Sequence, residues 1–244
     1  MLQPWQNGVV TKITPETLNT NRYIITLPNT DNFNFLPGQF VTLKLPIHER
    51  DSKCLRSYSI ASAPNGSNSF ELIIVLANPS TGGTNYIFNQ IKEGSTLILR
   101  GPVGVFTLPN VTHKRVVFIC TGTGIAPFRS MLLEAFKTNA HQLTQYNLVF
   151  GCRTPADLLY FNQMQALHHA HTNFEYNPAC SRELWQGRTG YVHNVYEDII
   201  KQPNFNAENT LFYLCGWRNM IDEAKNRLLA LGFNKNQIHY ELYG

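Results

Sequence analysis

The chain has 244 residues, of which 43% are hydrophobic and 15% charged, enough core for one large domain or two ordinary ones and too apolar for a disordered chain. Its net charge of +4 is spread along the sequence and forms no dense stripe, so nucleic-acid binding is not expected, whereas an acidic protein partner is permitted. No apolar run approaches the roughly 18 residues of a membrane span, and residues 1–8 lack a basic stretch followed by an apolar core, so a cytoplasmic protein without membrane insertion is expected.

From the start to about residue 110 the sequence reads as short strands between turn residues. Asn7-Gly8, Pro28-Asn29, Pro37-Gly38, Pro64-Asn65-Gly66 and Gly101-Pro102 punctuate β-rich pieces at 22–27, 39–45, 55–62, 70–76 and 96–99. That spacing predicts an antiparallel barrel or sandwich, with one short helix over 84–91. After residue 111 strands alternate with helices. Strands are predicted at 115–120, 147–150, 174–178, 210–215 and 237–242, and helices at 127–137, 157–168, 192–201 and 219–231, the last stopped by Gly232. Such alternation implies a doubly wound parallel sheet. The boundary falls at Asn110-Val111-Thr112-His113, which divides the chain into domains 1–110 and 111–244 with a cleft expected between them.

The five cysteines are scattered, and none forms a CxxC pair, which argues against a zinc or iron–sulfur centre. Reduced thiols fit a cytosolic setting. His168, His169 and His171 have no cysteine or carboxylate company and are read as a solvated helix end, so no metal is expected.

Two motifs carry chemistry. Arg56-Ser57-Tyr58-Ser59 sets a fixed cation, an aromatic ring and two hydroxyls on a predicted strand. Alternation turns Arg56 and Tyr58 to one face about 7 Å apart, suited to a ligand with a phosphate and a planar ring. Further on, strand 115–120 runs into Thr121-Gly122-Thr123-Gly124-Ile125-Ala126-Pro127 and then a helix. Glycines at a strand-to-helix turn let the backbone approach a pyrophosphate at the positive end of the helix dipole.

These motifs, with Gly101-Pro102-Val103-Gly104, Cys215-Gly216 and Glu241-Leu242-Tyr243, occur in an order that resembles the plant-type ferredoxin–NADP⁺ reductases. The resemblance implies an N-terminal antiparallel Greek-key β-barrel for FAD and a C-terminal α/β doubly wound parallel sheet for NADP. It implies an oxidoreductase that moves hydride between NADPH and flavin and single electrons to or from ferredoxin or flavodoxin. By resemblance, Arg56 meets the FAD pyrophosphate, Ser57 is a cofactor-binding residue of the same flavin motif, Tyr58 lies on the isoalloxazine and Ser59 reaches flavin N5. Gly82, Gly83 and Thr84 would give a second pyrophosphate contact, and Tyr243 would cover the flavin until the nicotinamide displaces it. Gly122, Thr123, Gly124 and Pro127 match the NADP-pyrophosphate turn. Arg153, Ser181, Arg182, Arg188 and Tyr191 would surround the 2′-phosphate. Cys215 would touch the nicotinamide, beside Gly216 of the same cofactor-binding motif, with Glu241 buffering charge or relaying protons. Three other readings stay open: a reductase component of an oxygenase, a cytochrome or free-flavin reductase, and a flavin-binding redox sensor without turnover.

Overall fold

The structure, a computed structural model, describes residues 3–77, 82–109, 115–138 and 143–243. The joint at residues 110–113 and the final Gly244 lie outside the described residues. The chain forms two compact units, Met1–Leu108 with Ala126–Thr138, and Pro109–Ile125 with Asn139–Gly244.

The first unit holds six antiparallel strands: β1 (Gln6–Thr17), β2 (Thr20–Thr26), β3 (Phe40–Lys44), β4 (Leu55–Ser59), β5 (Ser69–Val75) and β6 (Thr96–Val103). Their order in the sheet is β4-β3-β6-β1-β2-β5, so β6 returns to lie between two earlier hairpins in a Greek-key path. The sheet curls until its two end strands meet. Past Ser59 the chain leaves β3 and turns to β5: Ile60 bridges Leu72, and Ala61 N donates to Glu71 O at 2.8 Å. The interior is filled by Val10, Ile25, Val41, Leu43, Phe70, Leu72 and Leu99 and by Ile87 of α1 (Gly83–Gln90), all at most 2% exposed.

β1 departs from expectation. Asn7-Gly8 reads as a turn, yet Gly8 sits inside β1, where a Cβ would come within 2.8 Å of Ile25 and Leu99. This glycine serves close packing across the barrel rather than a bend.

α2 (Ile125–Thr138) is counted, from Ala126 on, with this unit. Its Arg129 is 7% exposed and donates to Ala61 O at 2.7 Å and to Glu71 Oε1 at 3.0 Å. Ser130 Oγ donates to Ser62 O at 2.6 Å, and Lys137 Nζ to Pro64 O at 2.8 Å. One helix face thereby fixes the segment that follows β4.

The second unit is a parallel sheet of β7 (Arg115–Thr121), β8 (Gln145–Cys152), β9 (Phe174–Cys180), β10 (Arg188–Thr189), β11 (Thr210–Trp217) and β12 (Ile238–Tyr243). Its order is β10-β9-β8-β7-β11-β12, so winding reverses between β7 and β11. α4 (Val192–Ile200) and α5 (Arg218–Ala230) bury Val195, Tyr196, Ile221 and Leu228 against Val117, Ile119, Val149, Phe212 and Leu214. Alternation sends Phe118, Tyr146 and Tyr213 to the other face, where Phe118 stacks on Tyr146.

α3 (Phe161–Ala170) begins four residues later than the sequence suggests. Thr154 and Asp157 form a capping box that closes a separate 3-10 turn over Pro155–Asp157, and Tyr160 then adopts φ 52° before the helix starts. No helix among the described residues is long and apolar enough to cross a membrane. Nor do the described residues hold a group of three or more His, Cys, Asp or Glu side chains suited to a metal. His168 Nδ1 instead lies 2.8 Å from Phe174 O.

Candidate functional site

In the first unit the structure brings Arg56 to the start of α1. Arg56 Nη1 donates to Leu55 O at 2.7 Å and to Lys53 O at 3.1 Å, which fixes the guanidinium over the strand. A Cβ on Gly83 would fall 2.8–2.9 Å from Arg56 Cγ and Nε, so only glycine lets the arginine lie this close to the helix end. Gly82 precedes it at φ +85° and gives no side-chain cap to α1. The first N–H groups of α1 and a guanidinium therefore converge where the N-cap residue offers no side-chain acceptor, a cradle whose donors suit a pyrophosphate. Thr84 Oγ1 is 3.4 Å from Ala77 N, close to the same end.

Tyr58 shares the face of Arg56, as alternation requires, and packs partly buried against the barrel core. Burial pushes its phenol up to about 12, only partly offset by the Arg56 charge. The ring thus stays neutral at any physiological pH. Ser57 is exposed and within 3.1 Å of Thr42 Oγ1. Ser59 is 4% exposed at the point where the chain hands over from β3 to β5. This break in pairing at the strand end is why burial stops alternating there.

In the second unit, the turn Gly122–Gly124 lies at the C-terminal end of β7, where the winding reverses. Doubly wound sheets bind ligands at this position. Gly122 has φ +54°, and a Cβ there would meet no atom within 4 Å, so its outer side is open. Gly124 is closed: a Cβ would strike the Cys215 carbonyl. Gly216, at φ +139°, sits against Thr121, whose Oγ1 accepts a hydrogen bond from Trp217 N at 3.3 Å. The glycine turn and Cys215-Gly216 are therefore one tightly knit element, with Thr123 on its rim and Pro127 buried in the first turn of α2. Thr121, within the turn motif but without a role of its own, and Trp217, outside every motif, both belong to it. Their signal was their adjacency to glycines that need a neighbour in close contact.

Parallel pairing of β11 and β12 sets Cys215 opposite Glu241, and Trp217 opposite Tyr243. Burial pushes the Cys215 thiol well up, the Glu241 charge adds to the rise, and a hydrogen bond with Tyr243 opposes it. Cys215 is thus a neutral thiol.

The expected phosphate-binding group divides in two. Ser181 N donates to Cys152 O at 3.0 Å, and Arg182 N to Arg153 O at 2.9 Å, so Arg153, Ser181 and Arg182 leave neighbouring strand ends together. Both guanidinium groups are exposed and make no ion pair among the described residues. Arg188 instead pairs with Asp198 at 2.9 Å, and Tyr191 is 70% exposed at the start of α4.

Two family models match the chain: an oxidoreductase FAD-binding domain over residues 7–108 and an oxidoreductase NAD-binding domain over residues 118–226. The chain is 31% identical to the glycine betaine monooxygenase reductase subunit of Pseudomonas aeruginosa over 99% of its own length, and it spans 66% of that relative, just under two thirds. It is also 31% identical to ferredoxin–NADP reductase B of Sorangium cellulosum, covering 86% of each chain. Its fold is similar to that of a Neisseria gonorrhoeae ferredoxin NADP⁺ reductase solved with FAD and NADP, at a TM-score of 0.80, 24% identity and 98% coverage of both chains.

Proposed function

The chain belongs to the ferredoxin–NADP reductase family, in which an oxidoreductase FAD-binding domain is joined to an NAD-binding one, and from that premise we propose that it oxidises NADPH and delivers electrons to a ferredoxin or flavodoxin. The observation that carries the reading is the Arg56 guanidinium lying over the uncapped start of α1, beside the neutral ring of Tyr58. Those residues fit FAD: two sets of donors for its pyrophosphate and an aromatic plate for its ring. When bound, FAD supplies the conversion of a hydride into single electrons.

The chain's own residues bind, orient and tune. Arg56, Gly82, Gly83 and Thr84 hold the flavin's pyrophosphate, and Ser57, tied to Thr42, keeps β4 in place. Tyr58 offers its face, and the Ser59 hydroxyl serves as the hydrogen-bonding group for flavin N5. Gly122, Thr123, Gly124 and Pro127 frame the turn that takes the nicotinamide nucleotide's pyrophosphate on backbone N–H groups. Cys215, protonated and buried, gives a small apolar contact for the nicotinamide, and Gly216 lets it approach. Tyr243 holds the place that the nicotinamide takes, and Glu241 holds or moves a proton beside it. Arg153 and Arg182, with Ser181, choose the 2′-phosphate and hence NADPH; Arg188 and Tyr191 flank that group. The net charge of +4 suits an acidic carrier.

A second reading, the reductase component of an oxygenase, is supported by the similarity to the glycine betaine monooxygenase subunit over nearly the whole chain. An acceptor screen at fixed NADPH separates the two. Rapid bleaching of the flavin followed by reduction of ferredoxin or flavodoxin supports the first, and turnover that needs an oxygenase supports the second. Bound flavin that neither NADPH nor NADH bleaches would sink both and leave a flavin-binding sensor.

A further inference from the structure

Cys152 closes β8 and Cys180 closes β9, and the two are register partners on adjacent parallel strands. Neighbouring strands lie about 4.8 Å apart, inside the roughly 4.4–6.8 Å Cα separation that a disulfide spans. Their Sγ atoms are 3.6 Å apart, and both are free thiols. Cys120 and Cys215 are register partners as well, but both are fully buried, whereas Cys152 is partly exposed. The residues that follow the first pair are Arg153 on one strand and Ser181-Arg182 on the other, joined by the backbone hydrogen bonds from Ser181 N to Cys152 O and from Arg182 N to Arg153 O.

We infer that Cys152 and Cys180 form a reversible disulfide that weakens binding of a 2′-phosphorylated nicotinamide nucleotide at Arg153 and Arg182. The switch rests on the nucleotide reading given above. The oxidant is a low-molecular-weight disulfide such as oxidised glutathione. One cysteine, as thiolate, attacks a glutathione sulfur; the glutathione S–S bond breaks, one glutathione leaves and a mixed disulfide forms. The second cysteine then displaces the other glutathione as the Sγ–Sγ bond closes. Two protons and two electrons pass from the pair to two reduced glutathione molecules.

Closure draws the sulfurs from 3.6 Å to about 2.05 Å. It also ends the donation from Cys152 Sγ to Thr154 O, now 3.2 Å, on the far side of Arg153. Both changes act on the backbone from which the two arginines project. NADH, which lacks the 2′-phosphate, is little affected. Burial raises both thiols above their ordinary range, so exchange is slow near neutrality and faster in alkaline buffer.

The test incubates the FAD-loaded protein with oxidised glutathione at about pH 8.5, where more thiolate is present, and returns it to neutral buffer. Peptide mapping then reads the bond, and KM is measured for NADPH and NADH before and after dithiothreitol. The expected result is a Cys152–Cys180 cross-linked peptide with KM for NADPH raised roughly tenfold, about the loss of one charged hydrogen bond. KM for NADH stays unchanged, dithiothreitol reverses the effect, and Cys152→Ser and Cys180→Ser abolish it. Absence of the cross-link overturns the inference, and so does a cross-link that leaves KM for NADPH unmoved. The map is independent of nucleotide, while the NADPH-to-NADH ratio of the reduced protein reads the underlying assignment, so the two failures are told apart.

Discussion

Arg56 lies against Gly83 so closely that each residue constrains the other. On the proposed assignment, removing the guanidinium deletes charged hydrogen bonds to the flavin's phosphates, each worth about 1.5–3 kcal/mol. Arg56→Ala should therefore weaken FAD retention by roughly ten- to a hundredfold, read as flavin absorbance remaining after gel filtration. Full occupancy at unchanged affinity would contradict the assignment. The two kinds of arginine in the second unit give a sharper contrast. Arg182→Ala should lower kcat/KM for NADPH by roughly tenfold or more while sparing NADH. Arg188→Ala should do much less, because Arg188 is already paired with Asp198. Equal losses in both variants, or equal losses with both nucleotides, would count against the division. The sequence marked all three arginines alike. Only the cross-strand bonds at Ser181 and Arg182, and the ion pair at Arg188, tell them apart.

Among the elements, α2 matters most for what it fixes. Arg129 and Glu71 form a nearly buried pair, each side chain 9% exposed, and Arg129 also holds Ala61 O. Removing one member of a fully buried pair costs about 3–5 kcal/mol, and less here, since Arg22 Nη1 also lies 3.9 Å from Glu71 Oε2. Arg129→Ala should lower the midpoint of urea unfolding accordingly; a loss under about 1 kcal/mol, the level of an exposed pair, would show that the charge is solvated.

α4 and α5 carry a second buried group. His193 is 5% exposed, with Nδ1 3.0 Å from Tyr196 Oη and Nε2 3.3 Å from Glu223 Oε2. Burial lowers its pKa, Glu223 and Glu197 oppose that, and Arg227 adds to it. A pKa depressed in the folded state means that the unfolded chain binds the proton first. The stability tied to the neutral imidazole is present above about pH 6.5, the unfolded value. It is lost as pH falls through the folded value. Unfolding midpoints measured from pH 7 to 5 should fall in the native protein and fall less steeply in His193→Gln; parallel slopes would refute this.

The same scale shows what the sequence disclosed and what it hid. The strands and helices that frame the proposed phosphate sites are legible, because glycine turns and a change of rhythm mark them. β1 was hidden because Gly8 looks like punctuation, and its reason, contact with Ile25 and Leu99, lies on other strands. α3 starts later than the predicted 157 because the Thr154–Asp157 capping box closes only a single turn over Pro155–Asp157. The Cys152–Cys180 pair could not be read at all, since register between β8 and β9 depends on the whole sheet.

At the scale of the molecule, the net charge of +4 is weak for binding but useful for encounter. With an acidic carrier, kcat/KM should fall as ionic strength rises from 0.01 to about 0.15 M, over which the screening length shrinks from about 30 to 8 Å. With a neutral acceptor such as free quinone it should stay flat. A salt-independent rate with ferredoxin or flavodoxin would mean that these carriers do not dock by charge.

The first sheet closes only at the Ile60–Leu72 bridge and its neighbouring bond from Ala61 to Glu71. Over Leu55–Tyr58 the outer edge of β4 pairs with no strand among the described residues, and this is the stretch that carries Arg56 and Tyr58. An unpaired edge is a template for another chain. The proposed flavin site and this open edge thus share the same few residues. A ligand that binds only the native state also stabilises it by mass action, about 2.7 kcal/mol at a hundredfold excess over Kd. Bound at the proposed site, flavin should therefore raise the melting temperature of this protein and cover its open edge, before any electron has moved.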